Sequence, residues 1–321
     1  MNKPLERSEL RHLQAFFFLF GLGIMCLAPR LPDIKANLDV STSYFGFLMS
    51  TGSIGALSAQ LVMGHIVHRL GVYRVLIYSS TLTYLTLGIL IELKSAPIYL
   101  VVNVLCGFAW ASYHIAINAQ ALHRQHESGK QIIPMLHGLW SAGAVTTAFI
   151  ALLISSFVSL NWHILTLISL VYLLTLRSIK ASKAYLLQGH EVTEDDEVIT
   201  FKKMITSFQI DWVVSLGFLC ALLLEVSIGD WATIMARQEF GVSKSVAVTP
   251  YFLFMGAMII GRLTYSRIKG NRSDKELVQP FVVMGGTIFL TCLALSMQIK
   301  ESNLVLGYTI FCLGFLLTGF G

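Results

Sequence analysis

The sequence predicts an all-α polytopic membrane protein, and three observations carry that prediction. Apolar residues make up 55% of the 321 positions and charged residues only 13%, whereas a soluble domain carries about a quarter charged residues. The apolar residues gather in runs of about 20, the length a helix needs to cross a hydrocarbon core of about 30 Å. Those runs are continuous and lack the two-residue alternation of a transmembrane barrel strand.

Taken in order, spans are expected near residues 13–29, 44–66, 75–93, 97–119, 134–158, 162–179, 210–232, 248–266, 278–298 and 304–321. That makes about ten helices. Glu6 and Glu9 precede the first run and no small-residue cleavage site follows it, so it reads as a retained span and not as a leader. Between the sixth and seventh runs, "HEVTEDDEVITFKK" gathers acids and bases as a solvated linker would. The linker, taken as 181–209, divides the chain into an N-terminal six-helix bundle (1–180) and an incomplete C-terminal bundle of four helices (210–321). The last run stops at "LLTGFG" without a polar cap. If the halves are repeats, as they often are in transporters, two to three further helices are expected after it.

Charge placement orients the spans. Of the 23 Lys and Arg, only Arg30, Lys35, Lys94, Arg237, Lys244 and Lys300 fall on the outer side when the N-terminus is placed inside. The remaining 17 (23 minus those six) lie on the cytoplasmic side, as the positive-inside rule requires. The net charge of +5 is therefore topological, and no nucleic-acid patch is visible in it. Cys26, Cys106, Cys220, Cys292 and Cys312 all sit inside expected spans. No CxxC or Cys/His spacing appears, which indicates neither a metal site nor a disulfide framework. No cofactor motif is present. The absence of a Walker-type run and of HExxH leaves ATP-driven transport and an intramembrane hydrolase unsupported.

Polar residues inside the spans are the candidate site. "LLLEVSIGDWATIMAR" (222–237) places Glu225 and Asp230 in a strongly apolar stretch. A charge at the centre of a membrane helix costs roughly 2.5–3.5 kcal/mol on insertion scales, so it faces a cavity or a partner. With the span ending near 232, Glu225 is expected roughly 10 Å below the outer end, protonated or paired. Asp230 is expected near the surface and about 140° away around the helix, where it and Trp231 organise the outer end. The competing reading is that Glu225 bonds a neighbouring helix and only fixes packing. In the fourth span Asn103, Gly107, Trp110, His114 and Asn118 recur on one helical face. Amides, an indole and an imidazole suit a polar solute, although each member equally fits helix packing. His137 and Ser141 lie one turn apart at the start of the fifth span, with His114 the deeper of the two imidazoles.

Two basic segments form a weak internal repeat: "GHIVHRLGVYR" (64–74) after the second span and "GRLTYSRIKGNR" (261–272) after the eighth. Their glycines allow close helix packing and their cations hold the loops inside. Gly64, Arg69, Gly71 and Arg74 resemble the G-x-x-x-D-R-x-G-R/K loop of the major facilitator superfamily. Six spans, a linker and the start of a second six resemble the same family along the whole chain. Within it, "HGLWSAGA" (137–144) and "EVSIGDWA" (225–232) are similar to the YbjJ-like branch of bacterial permeases. There are departures. His68 stands at the acidic position of the loop, which puts the family's charge contact there in question. Asn103 replaces the fourth-helix Arg of proton-coupled drug antiporters, and their Gly-Pro signature in helix five is missing.

The resemblance implies a secondary transporter in the bacterial inner membrane, with a cytoplasmic N-terminus and a small-molecule substrate. The solute would be small and polar, a sugar among the options, with protons as the coupling partner through Glu225 or His114. The competing readings are a transport-incompetent truncated remnant and a drug or metabolite efflux permease. Oligomeric state is not legible.

Overall fold

The computed structural model describes residues 6–190, 211–270 and 272–321, and every regular element among them is helical. The elements are α1 (Arg7–Ile24), α2 (Leu31–Leu38), α3 (Thr42–Ser50), α4 (Gly52–Leu90), α5 (Ala96–Ser128), α6 (Ile133–Ile154) and α7 (Leu160–Ser182). They continue with α8 (Trp212–Phe240), α9 (Thr249–Lys269), α10 (Asp274–Ile299) and α11 (Leu304–Phe320). Most of the expected linker, 191–209, lies outside the described residues.

Local chemistry sets the ends of several helices. Ser41 accepts from the Tyr44 N–H at the start of α3, and Asn303 caps α11 through Leu306 N–H. Ser273 and Glu276 form a reciprocal capping box at the start of α10. Pro97 opens α5, and Gly129, at φ 66°, closes it with its N–H on Gln125 O. Between these ends the helices are apolar enough to be stable without further signals.

Seven helical segments among the described residues have the length and apolarity to cross a membrane. The expected spans 44–66 and 75–93 belong to one such segment, Thr42–Leu90, and Leu304–Phe320 is a shorter apolar helix. Large apolar side chains such as Leu57, Tyr78, Leu85, Val101, Leu173 and Val283 are exposed. On a soluble surface so many would be an aggregation hazard; here they meet lipid.

The chain folds into two compact units. One is assembled from the described residues within Met1–Ile24, Asp33–Gly143 and Ile164–Asp211. Its core joins Leu13, Phe16, Phe17 and Phe20 of α1 to Ala56, Ala59 and Met63 of α4 and to Tyr113, Ala116 and Ile117 of α5. α4 and α5 approach closely: a Cβ on Gly55 would lie 1.8 Å from Val104 O, and one on Gly107 1.9 Å from Gly52 O. Small residues permit that contact, since dispersion at short range holds helices together where lipid removes the hydrophobic drive. Gly64 behaves differently from expectation. A Cβ there would meet nothing within 4 Å, so this glycine mediates no close helix packing.

The other unit comprises the described residues within Met25–Pro32, Ala144–His163 and Trp212–Gly321. Ala144, Ala148 and Ala151 of α6 pack with Ile228, Ala232 and Ala236 of α8, Tyr251 and Phe254 of α9, and Phe311 and Phe315 of α11. This packing corrects one expectation. α8 does not end near 232 but runs to Phe240, because Ala232, Ile234, Ala236 and Phe240 are buried. Gly241, at φ 61°, stops it. Glu225 therefore stands roughly 22 Å from the outer end of its helix, and Asp230 lies well inside it.

Candidate functional site

In the first unit the α5 stripe divides into two parts. Asn103 spends its amide on structure: Nδ2 donates to Leu48 O (2.9 Å), Met49 O (3.0 Å) and Thr51 Oγ1 (3.2 Å) at the junction of α3 and α4. Gly107, one turn on, is the contact with Gly52. Further along, Trp110, His114 and Asn118 are half-buried, and Trp110 packs at the margin of the core.

His114 is oriented by rings. Its imidazole stacks on Phe20 with centroids 5.3 Å apart and planes 10° from parallel. His137, on α6, meets it edge-on at 6.2 Å and meets Phe17 edge-on at 5.3 Å. Asn118 donates through Nδ2 to His114 O at 2.9 Å. The sequence-predicted residues Trp110, His114, Asn118 and His137 are thus gathered in one neighbourhood, and Asn103 stands apart. Imidazole nitrogens with ring faces beside them offer hydrogen bonding and stacking together.

In the second unit Glu225 has a partner. Its Oε2 lies 3.7 Å from Arg262 Nη2 of α9, and the two side chains are 25% and 44% exposed. At that length and exposure the pair is loose and exchangeable. Both line a cavity of about 350 Å³ whose other walls include Phe254, Met258, Tyr265, Phe281 and Thr318. Asp230 and Trp231 are half-buried on the same helix, and neither lines that cavity. Arg262 was legible only as an inner-side positive charge. Its pairing depends on how α8 and α9 pack.

The loop motif holds a different geometry. Gly71 interrupts α4 with φ 76° and ψ 159°, a region that is essentially glycine-only. A Cβ there would also lie 2.6 Å from Gly189 N. His68, at the family's acidic position, sets its ring 4.8 Å from that of His190. Arg69 and Arg74 are exposed.

One feature of the first unit escaped the sequence reading. Arg124, 4% exposed, pairs with the buried Glu9 carboxylate, its Nη2 donating to Oε2 at 2.7 Å and its Nε lying close to Oε1, and also reaches Glu127. This is a buried ion pair whose rupture leaves a buried charge, at a typical cost of about 3–5 kcal/mol. In sequence, Glu9 and Arg124 look like ordinary charges flanking spans.

Long apolar helices in two units, with polar side chains set among them, define a polytopic membrane protein. The chain belongs to the Major Facilitator Superfamily, whose family model matches residues 15–321. It is 28% identical over 307 residues to an uncharacterized MFS-type transporter of Yersinia pestis, covering 95% of this chain and 75% of the relative. It is 24% identical over 256 residues to an uncharacterized transporter of Sinorhizobium fredii, covering 79% of this chain and 66% of that protein. The crystal structure of nucleoside transporter NupG has the same fold, with a TM-score of 0.65 at 14% identity over 98% of this chain and 79% of that one.

Proposed function

We propose that the protein is a proton-coupled secondary transporter of a small polar solute, working by alternating access in the bacterial inner membrane with its N-terminus in the cytoplasm. It is organised as a bundle over 1–180 and a second one from 210 onward. The observation that carries this reading is the loose Glu225–Arg262 pair beside a cavity within apolar helices. A carboxylate opposed to a guanidinium has two states that differ by one positive charge. Either the pair is closed, or a proton neutralises Glu225 and Arg262 turns to the solute. A carrier that must link proton binding to solute binding needs such an exchange, and the apolar helices around Glu225 favour a paired or protonated acid over a lone carboxylate.

The His114–His137–Trp110–Asn118 neighbourhood supports a ring-bearing, hydroxyl-rich solute such as a sugar, because it combines stacking faces with hydrogen-bonding edges. Two hydrogen bonds also tie loops together within the second unit. The Ser156 N–H donates to Ser245 Oγ (3.0 Å) and the Ser245 N–H to Ser156 Oγ (3.1 Å). These join the segments after α6 and α8 on the side that the charge bias assigns to the periplasm.

The test is a thermal-shift screen of the purified protein against hexoses, nucleosides and other polar metabolites at two pH values. A polar ring-bearing solute is expected to raise Tm, and Trp110→Ala is expected to abolish the rise. Stabilisation by lipophilic drugs alone would replace this reading with an efflux permease.

A further inference from the structure

We propose that the cavity beneath the turn after α7 is a binding site for a phosphate group, carried by an anionic lipid headgroup or by a soluble phosphate ester. After α7 ends at Ser182, Lys183–Tyr185 make one tight turn and the chain doubles back across the basic loop of α4. Backbone hydrogen bonds fasten this return. The Val72 N–H donates to Leu187 O (2.9 Å) and the His190 N–H to His68 O (2.9 Å). Gln120 of α5 completes the clasp, with Oε1 accepting from Leu187 N–H at 2.7 Å and Nε2 donating to Tyr185 O at 3.0 Å.

Between the returning chain and the loop lies a cavity of about 520 Å³, lined by Arg69, Arg74, Lys183, His190, Gln188 and Tyr73 among others. No acidic side chain is among the described residues lining it. The Lys183 ammonium is held 5.1 Å from the Tyr73 ring centroid, which keeps it at the cavity wall. Two guanidinium groups and an ammonium gathered around one hollow repel one another until an anion enters. Tetrahedral phosphate oxygens match them, because the planar Arg fork binds two oxygens at once and Lys supplies a mobile point charge. The volume is that of a small-molecule site and accommodates the phosphate together with a glycerol or sugar attached to it. Helix ends at this level meet the headgroups of the inner leaflet, where both sources of phosphate are available.

The experiment uses the purified chain in phosphatidylcholine nanodiscs, with thermal unfolding as the readout. Inorganic phosphate is added against chloride at matched ionic strength. In a second arm, phosphatidylglycerol replaces part of the phosphatidylcholine. At least one arm is expected to raise Tm by about 3 °C, as ligation of the folded state requires. A rise with free phosphate alone assigns the site to a soluble ester. A rise with phosphatidylglycerol alone assigns it to a headgroup. Arg74→Gln and Lys183→Gln should each remove most of the rise, whereas Lys244→Gln should preserve it. Lys183 is exposed on a turn, so its variant decides the matter if Arg74→Gln does not fold. No rise in either arm, or a rise unchanged by Lys183→Gln, overturns the proposal.

Discussion

Two loops of this chain share a sequence pattern and differ in how they are held. In 64–74, Gly71 has φ 76°, and residues 187–190 lie directly across it. In 261–272, Gly270 also has positive φ, 53°, but a Cβ added there would meet nothing within 4 Å. The first loop is constrained twice, by backbone conformation and by contact. At Gly270, in the second, only the backbone conformation is a constraint. A repeat in sequence therefore records shared topology, while the packing around each copy decides how much its glycine matters.

Substitution separates the two constraints. Gly71→Val should have the largest effect, because it forces a β-branched residue into a glycine-only region and onto the Gly189 backbone. A strained φ alone costs about 1–3 kcal/mol. The folded yield should fall severely, while whatever fraction folds binds its solute with nearly unchanged affinity. Size-exclusion profile and thermal stability measure the first; ligand-induced Tm shift measures the second. A loss of affinity without loss of fold would move the loop into the binding site.

Gln120→Ala should follow. It leaves Gly71 untouched and removes both hydrogen bonds of the clasp, each worth roughly 0.5–1.5 kcal/mol. The expected result is a Tm lower by a few degrees and faster proteolysis around 183–190. Gly270→Ala should be the mildest, at about 1–2 kcal/mol, since only the left-handed backbone opposes it. If Gly270→Ala destabilised as much as Gly71→Val, the contact across the first loop would be irrelevant to its rigidity.

The membrane class and most helix positions were legible because lipid demands length and continuous apolarity, both of which are one-dimensional signals. The place of Gly71 in the loop between two spans was legible too, while its positive φ and the chain lying across it were not. Contacts between helices distant in sequence were not. The extension of α8 to Phe240 depends on its burial against α6 and α9. The pairing of Arg124 with Glu9 links residues 115 positions apart, and neither charge looks unusual alone. Asn103 shows the reverse case. Helical periodicity placed it in a polar stripe with Trp110, His114 and Asn118, but its amide is occupied by the α3–α4 junction. Gly64 gave a similar false signal, a glycine in a shared motif with open space beside it.

The central claim concerns Glu225, and its carboxylate can be removed without removing its hydrogen bonding. Glu225→Gln keeps the shape and an amide that still reaches Arg262, yet cannot gain or lose a proton. The most direct measurement compares two modes of transport in proteoliposomes: accumulation driven by a pH gradient, and counterflow exchange, which needs no net proton movement. The account predicts that Glu225→Gln loses accumulation and retains counterflow close to the parent rate. Accumulation at the parent level under the same gradient would contradict it and leave Glu225 a packing residue.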